Sequence, residues 1–457
     1  ELRQSNPGAV VTQIRASENG REGEGILYDA VADAAFSRAL LDAIARRRQF
    51  KGDLGELHAA PSKAFRSLRG APDLALEPSV MKREQSNTSI VYGDKLILKI
   101  FRRAQEGINP DLEIGRFITE HTSFRNIPLV AGALELRRGT GAGDTATIGI
   151  LQSWVPNVGD AWSFTLDSLG RFFEQALARR AEPEALPGNH LLELAAEPLP
   201  PVAPETIGAY LPSAQLLGQR TGEFHAALAS ATKDPAFVPE PFTSFYRRSL
   251  YQNMRNLTNQ SLALLAKRLK GLPDDVRGGA EEVLNFRKEI FNRLERLRDQ
   301  KISAMRLRCH GDYHLGQVLY TGKDFVIIDF EGEPARPITE RRLKRSPVSD
   351  VAGMLRSFNY AAIAKLRGGE LRPEDVPYLT RWARYWNLWV SVAFLQSHLE
   401  AAGPAGFLPQ SKEELRILLD AHLLEKAVYE LGYELNNRPD WVSVPISGIL
   451  EMLRPAT

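Results

Sequence analysis

Apolar residues recur along this chain with two periods, that of a strand and that of a helix. Ala9-Val10-Val11-Thr12-Gln13-Ile14 and Gly25-Ile26-Leu27-Tyr28-Asp29-Ala30 read as strands on either side of a glycine-rich turn. Ala34 to Arg48 has helical spacing, with Phe36, Leu40, Leu41 and Ile44 predicted to share one face. Asp94 to Phe101 alternates again, so Lys99 falls on the same side as Ile97 and Phe101. Gly149 to Val155 is a further strand pattern, after a turn around Gly139-Thr140-Gly141-Ala142-Gly143. Beyond residue 156 the helical period dominates, interrupted by a proline-rich stretch near 183–204. The short run Val326-Ile327-Ile328 is continuous rather than alternating, as expected for a buried strand. These patterns predict an α+β chain whose C-terminal part is mostly helical.

Composition narrows the class of function without naming one. Fifty-eight basic residues against fifty-six acidic ones leave a net charge of +2, too balanced to argue for nucleic-acid or membrane binding. No apolar run reaches the roughly twenty residues of a membrane span. The single cysteine, Cys309, rules out an internal disulfide framework, reads as a small buried apolar residue, and fits a reducing, cytoplasmic location. The basic cluster Arg341-Arg342-Leu343-Lys344-Arg345 reads as a solvated loop.

The candidate chemistry lies in His310-Gly311-Asp312-Tyr313-His314-Leu315-Gly316-Gln317 and in Ile327-Ile328-Asp329-Phe330-Glu331-Gly332. An acid five residues before an amide, then a second acid closing an apolar run, is the layout of a phosphoryl-transfer loop. Asp312 is the candidate base that orients a hydroxyl and takes its proton. Gln317 and Asp329 supply oxygen ligands suited to Mg²⁺. Tyr313 and His314 read as residues that shape the loop. Upstream, a lysine flanked by apolar neighbours needs anionic partners, and Lys99 is expected to meet nucleotide phosphates and an acid on the next helix. Asn109-Pro110-Asp111-Leu112-Glu113 opens that helix, with Glu113 the expected ion-pair partner and Asp111 a first-turn dipole residue. No glycine-rich lid precedes Lys99. Ser86, Asn87 and Thr88 offer hydroxyl, amide and backbone groups that could cap phosphate oxygens in its place. Ser153 to Val155 would present backbone to an adenine ring.

Taken with these motifs, Glu84 to Ser89, Leu96 to Lys99, Asn109 to Gly115, His310 to Gln317, Ile328 to Pro334, Ser346 to Phe358 and Asn436 to Trp441 are similar to bacterial maltokinases. These form part of the aminoglycoside-phosphotransferase-like branch of the kinase fold, and the similarity is strongest to the maltokinase part of trehalose synthase–maltokinase fusions. The resemblance implies a bilobal kinase-like fold with three parts. These are a cap subdomain over residues 1–83, a nucleotide-binding lobe over 84–155, and a helical lobe over 156–457 carrying the catalytic loop and acceptor pocket. It implies ATP and Mg²⁺ as cofactors, and phosphorylation of maltose at its anomeric hydroxyl for α-glucan synthesis. It also implies a fused or associated trehalose synthase as partner.

Two helical stripes compete for the acceptor. Tyr429 and Tyr433, and Glu430 and Glu434, are i,i+4 pairs on a helix expected over 425–437 and stopped by Pro439, with Arg438 at its end. Aromatic faces and charged groups suit a sugar, so Tyr429, Glu430, Tyr433 and Arg438 are the candidate substrate residues. An ordinary amphipathic helix has the same pattern. Trp382, Tyr385, Trp386 and Trp389 form a second stripe that reads as core. Asp350 reads as a helix cap bracing the catalytic loop. Alternative functions are phosphotransfer to another sugar, an aminoglycoside or choline, or a non-catalytic binding module. A damaged catalytic set would favour the module, yet Lys99, Asp312 and Asp329 are all present.

Overall fold

Alternation in the first third of the chain becomes an antiparallel sheet. The computed structural model describes residues 7–18, 21–53, 55–81, 87–139 and 144–454. They fall into two units, Glu1–Pro156 with Pro334–Arg342, and Asn157–Glu333 with Leu343–Thr457.

In the first unit β1 (Val10–Glu18) and β2 (Arg21–Tyr28) pair as a separate ribbon. Seven further strands follow: β3 (Gln49–Gly52), β4 (Gly55–Pro61), β5 (Pro78–Val80), β6 (Asn87–Tyr92), β7 (Leu96–Phe101), β8 (Val130–Arg137) and β9 (Thr145–Ser153). They form one sheet in the order β3-β4-β8-β9-β7-β6-β5, so strands from before and after residue 84 share it. Every neighbouring pair is antiparallel.

A helix covers each face because the strands are apolar on both. Helix α1 (Ala34–Ala45) puts Leu41 and Ile44 against Ile90, Tyr92, Leu96, Leu98, Leu134 and Leu151. The Tyr92 hydroxyl donates to the Ser37 carbonyl at 2.7 Å, satisfying a polar group inside this core. Leu40, Leu41 and Ile44 face this core as expected, while Phe36 is exposed and Ser37 is buried. Helix α2 (Pro110–His121) packs Leu112 against Val130, Ala133, Ile150 and Phe101 on the other face. Leu96 and Leu98 thus belong to the α1 face of β7, and Phe101 to the α2 face.

The second unit is mostly helical. Its principal helices here are α3 (Ala161–Arg179), α4 (Tyr210–Ala229), α5 (Val348–Arg367), α6 (Val376–Ala402) and α7 (Lys412–Asn437). Asp160 and Ser411 cap α3 and α7 through the backbone N–H groups of Ser163 and Glu414. The Ser411 cap starts α7 thirteen residues before the expected 425. Short strands β10 (Gly159–Asp160), β13 (Val318–Tyr320) and β14 (Phe325–Ile327) make a small sheet, and β11 (Glu240–Pro241) pairs with β12 (Met305–Arg306). Trp382, Tyr385, Trp386 and Trp389 on α6 are all buried, as a core stripe should be. Cys309 is free and buried, and burial pushes its thiol pKa up.

The basic cluster is not a solvated loop. Lys344 is buried with its ammonium 2.7 Å from the carbonyls of Pro235 and Val238 and 2.8 Å from Glu240. In the first unit Arg341 donates to the carbonyls of Arg336 and Pro334, and Arg342 to Glu113. Carbonyl oxygens and carboxylates replace water around each cation, which a charge count along the sequence cannot register.

Candidate active site

Alternation along β7 places Lys99 on the α2 face, where its ammonium lies 3.3 Å from Asp111 Oδ2. The Asp111 side chain is fully buried and that of Lys99 is 17% exposed. This corrects the expected pairing with Glu113, which instead receives a forked pair of hydrogen bonds from Arg342 at 2.9 and 2.6 Å. Helix geometry gives the reason. Two residues apart on a helix are about 200° apart around its axis, so Asp111 and Glu113 cannot both face the sheet. The Asn109 side chain accepts the N–H groups of Asp111 and Leu112, and Pro110 occupies the first turn, which fixes the starting phase of α2.

The other candidate nucleotide residues are differently occupied. Ser86 lies outside the described residues. Asn87 is buried at the start of β6, and the Thr88 hydroxyl accepts from Arg102 Nε at 3.2 Å. Ser153 ends a central strand, and its backbone N–H already donates to the Leu129 carbonyl at 2.8 Å. Its hydroxyl accepts the Leu129 N–H at 2.9 Å. The Trp154 N–H donates to the Lys95 carbonyl at 2.8 Å. The donors expected to meet an adenine ring at Ser153 and Trp154 are therefore committed to neighbouring chain. Val155 follows them, beyond the end of β9.

The second unit holds the acids. The Ile328 N–H donates to the Gln317 carbonyl at 3.0 Å, extending the β13–β14 ladder to the residue just before Asp329. Asp329 has φ +67°, a left-handed conformation uncommon for a residue with a side chain. Such strain persists where neighbours over-determine it. Phe330 is buried, stacked on Phe224 at 5.4 Å and edge-on to His310 at 5.5 Å, which clamps the residue after Asp329. His310 Nε2 lies 2.9 Å from the Ile328 carbonyl, tying the Asp312 loop to the Asp329 segment.

Asp350 braces that loop as expected, but from inside the first turn of α5 rather than as its cap. Its Oδ2 accepts the His310 N–H at 2.8 Å and its Oδ1 the Gly311 N–H at 3.0 Å. The Tyr313 hydroxyl is 2.8 Å from that of Thr221, and the Ser357 hydroxyl accepts the Leu315 N–H at 3.1 Å. The His314 ring accepts the Gly316 N–H at 3.1 Å. Burial lowers the pKa of His314, the Asp312 carboxylate opposing and Lys426 adding to the shift. Tyr313 and His314 therefore shape the loop.

The last residue in this neighbourhood is one the motif reading missed. Lys426 Nζ is 3.8 Å from Asp312 Oδ1 and 5.1 Å from the centroid of the Tyr429 ring. Lys426, Tyr429 and Tyr433 sit at i, i+3 and i+7, so helical spacing alone could have added the lysine to the face. Tyr429 also donates to Glu333, and burial followed by that carboxylate pushes its pKa up. Tyr433 stacks on Tyr429 at 6.4 Å and is 45% exposed.

Glu430, a candidate substrate residue, faces α5. It is buried, and Arg356 of α5 donates to its Oε2 at 2.9 and 2.7 Å. Arg438 forks onto Glu434 at 2.9 and 2.6 Å, and Tyr360 donates to the same carboxylate at 3.2 Å. Helix α7 thus turns Tyr429 and Lys426 toward the Asp312 loop and turns Glu430 and Glu434 toward α5. Their carboxylates are met by the guanidinium groups of Arg356 and Arg438.

With this geometry in place, similarity to known proteins defines the class. Residues 165–332 match the profile of the phosphotransferase enzyme family. A glucosamine kinase of Mycolicibacterium smegmatis is 25% identical, over 99% of this chain and 95% of that protein. A glucosamine kinase of Streptacidiphilus jiangxiensis is 22% identical, over 98% and 89%. The solved structure of a glucosamine kinase with glucosamine, ADP and inorganic phosphate aligns with TM-score 0.66 at 20% identity, over 94% of this chain and 85% of that one. The fold is therefore kinase-like α+β with a mostly helical C-terminal region. The chain thus resembles, over nearly its whole length, kinases of this phosphotransferase class.

Proposed function

We propose that this chain is an ATP-dependent maltokinase, transferring the γ-phosphoryl group to the anomeric hydroxyl of maltose. The observation that carries the acceptor choice is the Lys426 ammonium, 3.8 Å from the Asp312 carboxylate and over the Tyr429 ring. A cationic acceptor such as an amino sugar, aminoglycoside or choline would bring a second positive charge into this space. At about 5 Å and an effective dielectric constant of about 20, that repulsion is about 3 kcal/mol. A neutral sugar incurs none of it and can use the tyrosine rings for its apolar face. Gln317 and the Phe330-Glu331-Gly332-Glu333-Pro334 run, the most specific parts of the maltokinase resemblance, favour the same acceptor.

In this reading Asp312 orients the acceptor hydroxyl and takes its proton as the phosphoryl group transfers. Lys99, held by Asp111, faces the nucleotide phosphates. Asp329 and Gln317 are oxygen donors at the end of one ladder, a set that suits a hard cation. Mg²⁺ held there would neutralise charge on the phosphate oxygens.

The glucosamine kinase relatives favour a second reading, an amino-sugar acceptor. Steady-state rates with ATP, Mg²⁺ and maltose, glucose, glucosamine or kanamycin separate the two, with products read by mass spectrometry. Maltose should have the highest kcat/KM, at least about tenfold above glucosamine. Faster turnover of glucosamine would overturn the neutral-sugar reading. An absence of any phosphorylated product would favour a binding module in the same pathway.

A further inference from the structure

The carboxylate that braces the catalytic loop is itself held from behind. Besides the His310 and Gly311 N–H groups, Asp350 Oδ2 lies 3.2 Å from His225 Nε2. His225 Nδ1 in turn lies 3.1 Å from His398 Nε2. His225, His398, His310 and Asp350 are each no more than 2% exposed. These residues come from α4, α6, the catalytic loop and α5.

A carboxylate only accepts, so His225 Nε2 carries a proton toward Asp350. One further proton lies between His225 Nδ1 and His398 Nε2. His398 Nδ1 is a buried atom with no hydrogen-bond partner among the described residues. Burial, reinforced by His225, lowers the His398 pKa well below its ordinary value, so the ring stays neutral. Burial alone would raise the pKa of Asp350. The hydrogen bond and charge interaction with His225, then His310 and the Gly311 N–H, outweigh it and bring the pKa down. The row therefore runs without a break from His398 through His225 to the Asp350 carboxylate.

The packing of α4 on α6 makes this contact possible. A Cβ on Gly218 would stand 2.1 Å from the Phe394 carbonyl oxygen, and one on Gly222 would stand 2.8 Å from that of His398. No side chain fits at either position, so the two backbones meet closely. His225 follows at the next turn of the same face, at i, i+4 and i+7. The close seam brings one imidazole onto the other, with ring centroids 5.3 Å apart at 80°.

We propose that His225 and His398 are positioning residues for phosphoryl transfer. As a buried hydrogen-bonded row they fix the rotation of the Asp350 carboxylate, and through its two loop hydrogen bonds the placement of Asp312. This rests on the reading of Asp312 as the base. The dyad touches neither substrate nor nucleotide, so its loss should fall on kcat rather than on either KM.

The test uses the full chain with maltose and MgATP, comparing His225→Leu, His225→Gln, His398→Phe and Asp312→Asn. Glutamine can both donate to Asp350 and accept from His398, whereas leucine can do neither. His225→Leu should lower kcat by about 10–100-fold, the scale of a small misplacement of a reacting group, with both KM values within about twofold. His225→Gln should recover most of that loss, and His398→Phe should fall between the two. Normal kcat in His225→Leu alongside an inactive Asp312→Asn would overturn the dyad and leave the base reading standing. Full activity in Asp312→Asn would instead overturn the base reading, and the dyad with it. If His225→Leu does not fold, the other two dyad variants decide. A wild-type kcat in His398→Phe, or a His225→Gln chain that folds but stays as slow as Asp312→Asn, would refute the proposal.

Discussion

At the scale of single residues, the acids of the loop separate into distinct jobs that substitutions can tell apart. Asp312→Asn should keep nucleotide binding and lose about 10²–10⁴-fold in turnover, the range for a positioned base. Asp329→Ala should instead weaken MgATP binding, and Gln317→Leu should shift the Mg²⁺ titration. Rate and binding measurements on these three chains check the division, and normal turnover from Asp312→Asn would remove the base assignment. Arg438 has a different fate from the one its position at a helix end suggests. Glu434 is 1% exposed, and Arg438→Ala would leave its carboxylate with the Tyr360 hydroxyl as a donor. That should cost about 1–3 kcal/mol, the range for depriving a buried polar group, while leaving the KM for acceptor nearly fixed. Denaturant midpoints and both KM values on one variant decide it. A raised acceptor KM with unchanged stability would return Arg438 to the pocket.

At the scale of elements, two helices decide what the site can do. The phase of α2, set by Asn109 and Pro110, gives Lys99 to Asp111 and leaves Glu113 for Arg342. Asp111→Asn should therefore raise the KM for ATP severalfold and lower kcat, because the buried partner of Lys99 loses its charge. Glu113→Gln should act more weakly. The reverse order in ATP kinetics would show that the Lys99–Asp111 pair is structural. On α7, Lys426 belongs to the face that meets the loop, so Lys426→Met should narrow the preference for maltose over glucosamine by removing the repelling charge. Competition assays on that variant read the ratio directly, and an unchanged ratio would remove charge as the source of selectivity.

At the scale of the whole molecule, the buried His398 ring makes stability depend on pH. The folded-state pKa of His398 lies below the ordinary 6.5, so the unfolded chain binds a proton more readily at that position. Stability is full above about pH 6.5 and falls as the pH drops toward the folded value. Asp350, also lowered, adds to the loss below its ordinary 3.8. Urea unfolding should thus show a lower midpoint at pH 5 than at pH 7.5, with a flatter dependence in His398→Phe. Equal midpoints in the native chain would contradict a neutral buried ring. Among the described residues no helix is long and apolar enough to cross a membrane.

Much of this was legible in the chain itself. Strand patterns located β1, β2, β7 and β9, helical spacing located α1 and the tryptophan stripe of α6, and the chemistry of His310 to Gln317 and Asp329 marked the reactive loop. Local periodicity decides which residues share a face, because backbone geometry repeats every two or 3.6 residues. It carries no information on what that face meets. The partner of Lys99, the inward turn of Glu430 and Glu434, and the burial of Lys344 depended on neighbours supplied by other elements. The histidine row depended on them most. His225 lies 125 residues from Asp350 and 173 from His398, and only the close packing of α4 on α6 joins them. Spacing that wide encodes no contact until burial removes water and leaves the rings nothing else to bond.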